Sequence, residues 1–448
     1  MKIILNYVIP IGIIILAAFL RFNNLSYRAP FDWDQNRDYQ EVAKIASGKL
    51  TLIGSVARGE GGFFLGPLYY YLLTPSFVMS GGDPLALPVS SILLDILTIG
   101  LILYLGKYLG NTNFGYVFAL IYALSPSMVD ASLVSWNVAL LPLWVIAMLL
   151  FLIKPKYKSI DLLLGGLLLG SSWHIHAALI PLAPILFLAR SRSISLFSIK
   201  SLWLVTGYLL MLSPLILFDI RHVGLQSNLI VSMVTAQGEP RAALPLLLDS
   251  VLSRFGKNLS SMFGGPGDLN LWLGIVGLST SLVAAIRGNV LLRLSALAVI
   301  ANITLVILLG SVGFPEYYLA TATIGTLLII TYILSTHWLG IVVAISLSLF
   351  LLATNSATVG PFTLGHKLDL VSVIAEDKSV HKVLYDLPYG RDSGLPILLK
   401  RSGAHPSSEG RVIYMISDKT DPSLFIEGEI ASEVGWYGGF RLVKRESR

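Results

Sequence analysis

Apolar residues run in long stretches separated by short polar turns, and the stretches are continuous rather than alternating. A helix needs roughly 20 apolar residues to cross a hydrocarbon core, with about 17 as a lower limit. Eleven stretches are candidates: 3–20, 84–106, 113–128, 138–153, 160–173, 175–189, 200–218, 270–286, 294–310, 316–335 and 338–354. The pair within 160–189 is too short for two full spans, which predicts a re-entrant or broken hairpin. The run 67–79 is also short and carries three tyrosines, so it predicts an interfacial helix at headgroup level. Continuous runs argue against a transmembrane barrel, whose strands alternate. The first run is interrupted by Pro10 and followed by Arg21 and Phe22 rather than by a small-residue cleavage site, so it reads as a retained span. The expected fold class is mainly α, a polytopic membrane protein of about eleven transmembrane helices.

Composition supports that class. The chain is 54% hydrophobic and 13% charged, with a mean hydropathy of +0.74. A soluble domain carries about 25% charged residues, so a soluble globular enzyme, a disordered chain and a coiled coil are excluded. The absence of cysteine removes disulfides, thiolate metal sites and cysteine nucleophiles. A net charge of +6 would suggest nucleic acid in a soluble protein; here the positive-inside bias accounts for it, and no nucleic-acid partner is expected.

The charges are unevenly placed. Residues 360–448 hold 24 of the 58 charged residues, which separates a membrane part, 1–357, from a polar tail, 358–448. An alternating stretch at Arg411–Ile416 and a Gly-rich end at Gly435–Gly439 predict a small α/β domain in the tail. With the N-terminus in the cytoplasm, the short cytoplasmic turns hold Lys107, Lys154, Lys156, Lys158, Arg190, Arg192, Lys200, Arg287 and Arg293, and almost no acids. The loops 21–83 and 219–269 and the tail then lie outside a multi-pass plasma-membrane protein.

The first outer loop contains Asp32, Asp34 and Asp38 around Trp33, Gln35, Asn36 and Arg37. If a helix begins near Asp34, then Asp34 and Asp38 share one face and repel, unless a cation, an acceptor hydroxyl or Arg37 uses them. The plain alternative is an N-capping acid with a solvated charge. Downstream, Gly59-Glu60-Gly61-Gly62 gives a tight turn, Pro67 suits the first turn of a helix, and Tyr69, Tyr70 and Tyr71 form a wall of amphipathic rings.

The order of these features is an apolar span, the Asp34-Gln35-Asn36-Arg37-Asp38 motif, Pro67-Leu68-Tyr69-Tyr70-Tyr71, a span ending Leu105-Gly106-Lys107-Tyr108-Leu109-Gly110, and Tyr122-Ala123-Leu124-Ser125-Pro126. It resembles the polyprenyl-phosphate-sugar-dependent membrane glycosyltransferases of the GT-C fold, and most of all the family-39-like branch related to protein mannosyltransferases and aminoarabinose transferases. The resemblance covers residues 1 to about 335. Many relatives have His-Pro-Pro before the tyrosines. This chain has Leu65-Gly66-Pro67, so any role of that histidine is absent.

The resemblance implies an inverting transfer. An acid of the first outer loop takes the proton of the acceptor hydroxyl, which attacks the anomeric carbon of a sugar carried on a lipid phosphate. The residue types suit this chemistry, since a carboxylate in reach of a hydroxyl can act as general base and a leaving phosphate needs cationic or hydrogen-bonding stabilisation. Carried over, Asp34 is the base and Asp38 a partner carboxylate or a ligand of sugar or metal. Asp32, Arg37, Tyr69 and Tyr70 are substrate-binding. Glu60 stands at the place of a second acid or is a solvated turn residue. Arg221 and His222, in Asp219-Ile220-Arg221-His222, are phosphate ligands with Asp219 orienting the arginine, although an arginine at that boundary can equally snorkel to headgroups.

Asn137 offers a hydrogen bond to sugar or phosphate. His176, of His174-Ile175-His176, matches a histidine of relatives, and the pair is weak ground for a metal. Glu316 is either interfacial or cavity-lining. Arg241, Arg254 and Lys257 read as surface charges. No cofactor is required, and a divalent cation at the acids is left open. The implied partners are the bilayer, a polyprenyl-phosphate-linked sugar donor, and a protein, lipid or glycan acceptor. Walker A, dinucleotide-binding and nucleophile-elbow motifs are absent. The rival function is a transporter or flippase of lipid-linked sugars, for which mid-span Asp95 is the strongest point. No internal repeat supports it.

Overall fold

In this computed structural model, the described residues are 7–57, 62–190, 199–235, 242–265, 267–309, 312–354, 359–377, 381–404, 406–407, 412–419 and 430–446. Helices follow in chain order: α1 (Ile9–Phe22), α2 (Trp33–Ala46), α3 (Leu68–Met79), α4 (Ala86–Tyr108), α5 (Thr112–Leu124), α6 (Pro126–Leu133), α7 (Leu141–Leu152), α8 (Ser159–Ile175), α9 (Leu179–Arg190), α10 (Ser201–Arg221), α11 (Leu225–Thr235), α12 (Leu244–Met262), α13 (Asn270–Arg287), α14 (Val290–Leu309), α15 (Ala320–Ser335), α16 (Trp338–Thr354), α17 (Leu364–Glu376) and α18 (Leu395–Arg401). Strands β1 (His381–Asp386), β2 (Val412–Ser417), β3 (Ile430–Tyr437) and β4 (Phe440–Glu446) complete it. Short 3₁₀ turns at Asn137–Leu140 and Glu316–Leu319 lead into α7 and α15.

Among the described residues, each of the eleven apolar stretches falls mainly on helix. Among the described residues, five helical segments reach 18 residues and are apolar enough to cross a membrane: Ala86–Tyr108, Ser201–Arg221, Asn270–Arg287, Val290–Leu308 and Glu316–Ser335. The expected span 113–128 is instead two helices, α5 and α6, bent by 64°. The residue before a proline is pushed out of helical geometry, and Ser125 before Pro126 is extended. Ile9–Phe22, Asn137–Leu152, Ser159–Ile175, Leu179–Ala189 and Trp338–Thr354 are apolar but shorter. The chain is a multi-pass membrane protein; by length and composition five spans, or six with the bent pair, stand among the described residues beside shorter apolar helices, where the sequence predicts about eleven.

The helices pack on small residues, as expected where lipid gives no hydrophobic drive for association. A Cβ on Gly166 of α8 would collide with the Leu204 carbonyl of α10, and one on Gly207 with the Leu163 carbonyl, so the two backbones touch directly. The interior is apolar, with Trp144, Phe114, Phe118 and Leu73 fully buried. The stretch 67–79 folds as α3, alongside α2 and α4.

The tail forms a four-stranded sheet in the order β1-β2-β4-β3. β1 runs parallel to β2, with His381 opposite Val412, and β4 runs antiparallel to both β2 and β3. The alternation at Val412–Ile416 is β2, and the Gly-rich end is the β3–β4 hairpin, whose Gly439 N–H donates to the Pro361 carbonyl (2.6 Å). Arg411 lies outside the described residues. α17 and α18 bring this sheet onto the loop that follows α1.

Candidate active site

The site is built on α2. Asp32 caps the helix, and Gln35 closes a capping box by accepting from the Asp32 backbone N–H (3.1 Å). The Gln35 amide reaches on to the Ser135 carbonyl (3.2 Å). Tyr39, Val42 and Ile45 turn inward, and the Tyr39 hydroxyl donates to the Gly82 carbonyl (2.8 Å).

Asp34 and Asp38 share one side of α2, and Arg37 lies between them. Its Nη1 donates to Asp34 Oδ1 (2.8 Å), while Nε and Nη2 donate to Asp38 Oδ1 (2.8 and 2.7 Å). The repulsion between the two acids is therefore answered by Arg37 itself. The carboxylates differ in access: the Asp38 side chain is 1% exposed and that of Asp34 is 44%. Burial pushes the Asp38 carboxyl up to about 7, against the downward pull of Arg37. Burial also works against the Arg37 charge, but Asp38, Tyr70 and Asp34 more than restore it and hold its pKa above the usual value. Asp38 Oδ2 is buried without a hydrogen bond, beside the Tyr70 phenol, itself buried.

A largely apolar cavity of about 300 Å³ opens nearby, among α4, α6, α12 and the start of α15. Trp136, Tyr317, Glu316, Asn258, Asp95 and Tyr122 contribute to its wall. Tyr317 lies within electrostatic range of Asp34. It also meets Trp136 edge-on (5.0 Å between ring centres) and His176 (5.6 Å). The Trp136 segment and the 3₁₀ turn at Glu316 thus line the cavity, and Tyr317 links it to His176 by ring contact and to Asp34 by charge. Glu316 accepts from Lys257 (2.9 Å), with Arg254 at 3.8 Å. These two cations, read from sequence as surface charges, flank a residue of the cavity wall; the amphipathic spacing of α12 was their only signal.

Other candidates are placed differently. Asp32 Oδ1 takes Lys367 (3.2 Å) and Oδ2 takes Arg391 (3.1 Å), both from the tail, so this acid links α2 to the C-terminal domain. Tyr69 is 2% exposed and bonds Ser91 (2.9 Å) and Ser135 (3.2 Å). The Asn137 amide is spent on the Ile175 carbonyl. Arg221 sits exposed at the end of α10, and among the described residues it makes no ion pair or hydrogen bond with the acids of α2. His222 stacks on Phe218 (4.1 Å) and bonds its carbonyl (2.8 Å). Asp219 accepts from Ser227 rather than orienting Arg221. Glu60 and Arg241 lie outside the described residues.

His174 is structural. Its Nδ1 accepts from the Leu68 N–H (3.3 Å), so Nε2 carries the proton donated to the Met211 carbonyl (2.8 Å). Its ring fills the space a Cβ on Gly66 would need, which gives the glycine of Leu65-Gly66-Pro67 a physical reason. No group of three or more His, Asp or Glu gathers into a metal-binding cluster among the described residues, and between Asp34 and Asp38 the cationic place is taken by Arg37. Asp95, the mid-span acid, is bound by Arg21 Nε (2.6 Å) and the Tyr122 hydroxyl (2.6 Å). It is a paired charge joining α1, α4 and α5.

No family model and no curated protein matches this sequence. Solved structures do. The chain is similar to ArnT from Cupriavidus metallidurans in the apo state, at 12% identity and a TM-score of 0.50, covering 97% of each chain. It is also similar to the Archaeoglobus fulgidus oligosaccharyltransferase solved with Zn and sulfate, at 14% identity and a TM-score of 0.52. That match covers 89% of this chain and 61% of the archaeal one, so the chain spans under two thirds of that enzyme's length. The apo form of the same enzyme matches at 10% identity and a TM-score of 0.51. With its helical membrane part and small C-terminal sheet, the chain has the GT-C fold of these membrane glycosyltransferases.

Proposed function

We propose that this protein is an integral-membrane glycosyltransferase that moves a sugar from a polyprenyl-phosphate donor to an acceptor hydroxyl on the extracytoplasmic side, with inversion. The observation that carries the reading is the division of labour on α2: Asp38 is buried and locks Arg37, while Asp34 stays accessible near the cavity. Asp34 is the general base. The acceptor hydroxyl attacks the anomeric carbon, its proton passes to Asp34, and the bond from that carbon to the phosphate oxygen breaks with both electrons leaving on the phosphate. Arg37, fixed by Asp38, faces the developing charge, and Lys257 adds a cation paired with Glu316 of the cavity wall.

The apolar cavity suits the first isoprene units of the donor, and Trp136, His176 and Tyr317 suit its sugar. Arg221 and His222 then serve the headgroup region rather than the reacting phosphate. The basic turns support an orientation with the N-terminus in the cytoplasm and with α2 and the C-terminal sheet outside. The pairing of Asp95 with Arg21 and Tyr122 takes from the transporter alternative its main support.

Purified protein supplied with radiolabelled polyprenyl-phosphate sugars tests the reading. Release of polyprenyl phosphate with transfer of label is expected. No turnover across a panel of donors and acceptors contradicts it.

A further inference from the structure

Lys367, in the first turn of α17, is fully buried. Its Nζ donates to the Phe31 carbonyl (2.7 Å), the Ser393 carbonyl (2.8 Å) and Asp32 Oδ1 (3.2 Å). An ammonium has three protons, and these acceptors account for all of them. Arg391 adds a bond to the other Asp32 oxygen (3.1 Å) and lies over the Phe362 ring (4.7 Å). The same stretch is held at neighbouring points. The Leu364 N–H donates to the Ala29 carbonyl (2.9 Å), Pro30 pairs with Thr363, and a Cβ on Gly394 would meet the Phe31 ring and carbonyl. Residues 29–32, which deliver the chain into α2, are thus gripped by the C-terminal domain.

Docking alone does not call for a buried charge. Apolar residues of similar volume commonly serve as well or better, because taking a charge out of water is costly. What the ammonium supplies is direction: it fixes one carbonyl and one carboxylate oxygen immediately before the helix starts. Asp34 stands two residues beyond Asp32, in that first turn.

We infer that Lys367 is a positioning residue for the acidic helix, holding Phe31 and Asp32 so that Asp34 keeps its place relative to the reacting atoms. The inference rests on the proposed glycosyltransferase reading. The C-terminal domain is then part of the active-site scaffold, and the chemistry depends on a residue 333 positions from the base.

The test is steady-state turnover of radiolabelled polyprenyl-phosphate sugar by full-length Lys367→Met, with amide hydrogen exchange of α2 followed in parallel. A displacement of about 1 Å costs on the order of 100-fold in rate. The expected result is a kcat loss of that order with the donor KM within about twofold, and faster exchange at residues 34–38 while α13 and α14 stay protected. Unchanged kcat with unchanged exchange overturns the inference, as does a loss expressed only in KM. Should Lys367→Met not fold, Asp32→Asn, which keeps an oxygen for the cap, carries the same expectations and the same contradictions. If the wild type turns over no donor, the glycosyltransferase reading falls, and exchange alone decides the positioning of α2: protection kept in the variant contradicts it.

Discussion

Arg37 grips Asp38 through two donors on one carboxylate oxygen and spends its remaining arm on Asp34. Two acids four residues apart on a helix repel, and this fork turns the repulsion into a defined geometry. A lysine is a point charge on a flexible stem and cannot reproduce it. Arg37→Lys is expected to keep the fold and lower kcat about 100-fold, as measured by donor turnover. Arg37→Met leaves Asp38 buried without its cation, and breaking a buried pair costs about 3–5 kcal/mol. Because Arg37 is partly exposed, the lower end of that range is expected in chemical denaturation.

The raised pKa of Asp38 gives a pH dependence with opposite signs for activity and stability. Its folded value is pushed up to about 7 by burial, from 3.8. The folded state therefore holds a proton that the unfolded state releases at lower pH. This contribution to stability is full below about pH 4 and is lost as pH rises towards 7. The ionised carboxylate, however, is the form that grips Arg37 fully. Turnover is expected to rise through an apparent pKa near 7, and a pH–rate profile checks it. In Asp38→Asn that rise should vanish while part of the activity remains.

Asp95 and Arg21 are paired deep in the helical part. Removing one partner leaves an uncompensated charge, at about 3–5 kcal/mol. Removing both, in Arg21→Met with Asp95→Leu, leaves none. A double-mutant cycle of thermal stability should show the double variant more stable than either single one. Additive losses would mean that the pair is not what joins α1 to α4.

Gly66 and His174 compete for one space. Gly66→Ala forces the imidazole off its two bonds, and overpacking costs about 1–3 kcal/mol. A matching drop in melting temperature is expected, largely relieved in the double variant with His174→Ala.

The helices of this fold were legible because lipid forces long apolar runs, and the break at Ser125–Pro126 was legible in principle from the proline. The acidic motif was legible as chemistry. What was hidden was how each acid is used. Asp32 reads from sequence as one more candidate ligand, but its cations stand at positions 367 and 391, and no local pattern links them. Tyr69 and Asn137 look like ligands because they are polar, and the fold spends them on Ser91, Ser135 and the Ile175 carbonyl. Lys257 is the surface charge that its sequence suggests, 59% exposed, but its partner, Glu316, lies beyond two intervening helices and no local pattern names it.

The central claim is that Asp34 takes the acceptor proton. Transfer of radiolabelled sugar from a polyprenyl-phosphate donor by wild type and by Asp34→Asn, both checked for folding, tests it most directly. The account predicts that the wild type transfers label and that Asp34→Asn loses at least about 100-fold in kcat with donor binding retained. Equal turnover by the two proteins would contradict it.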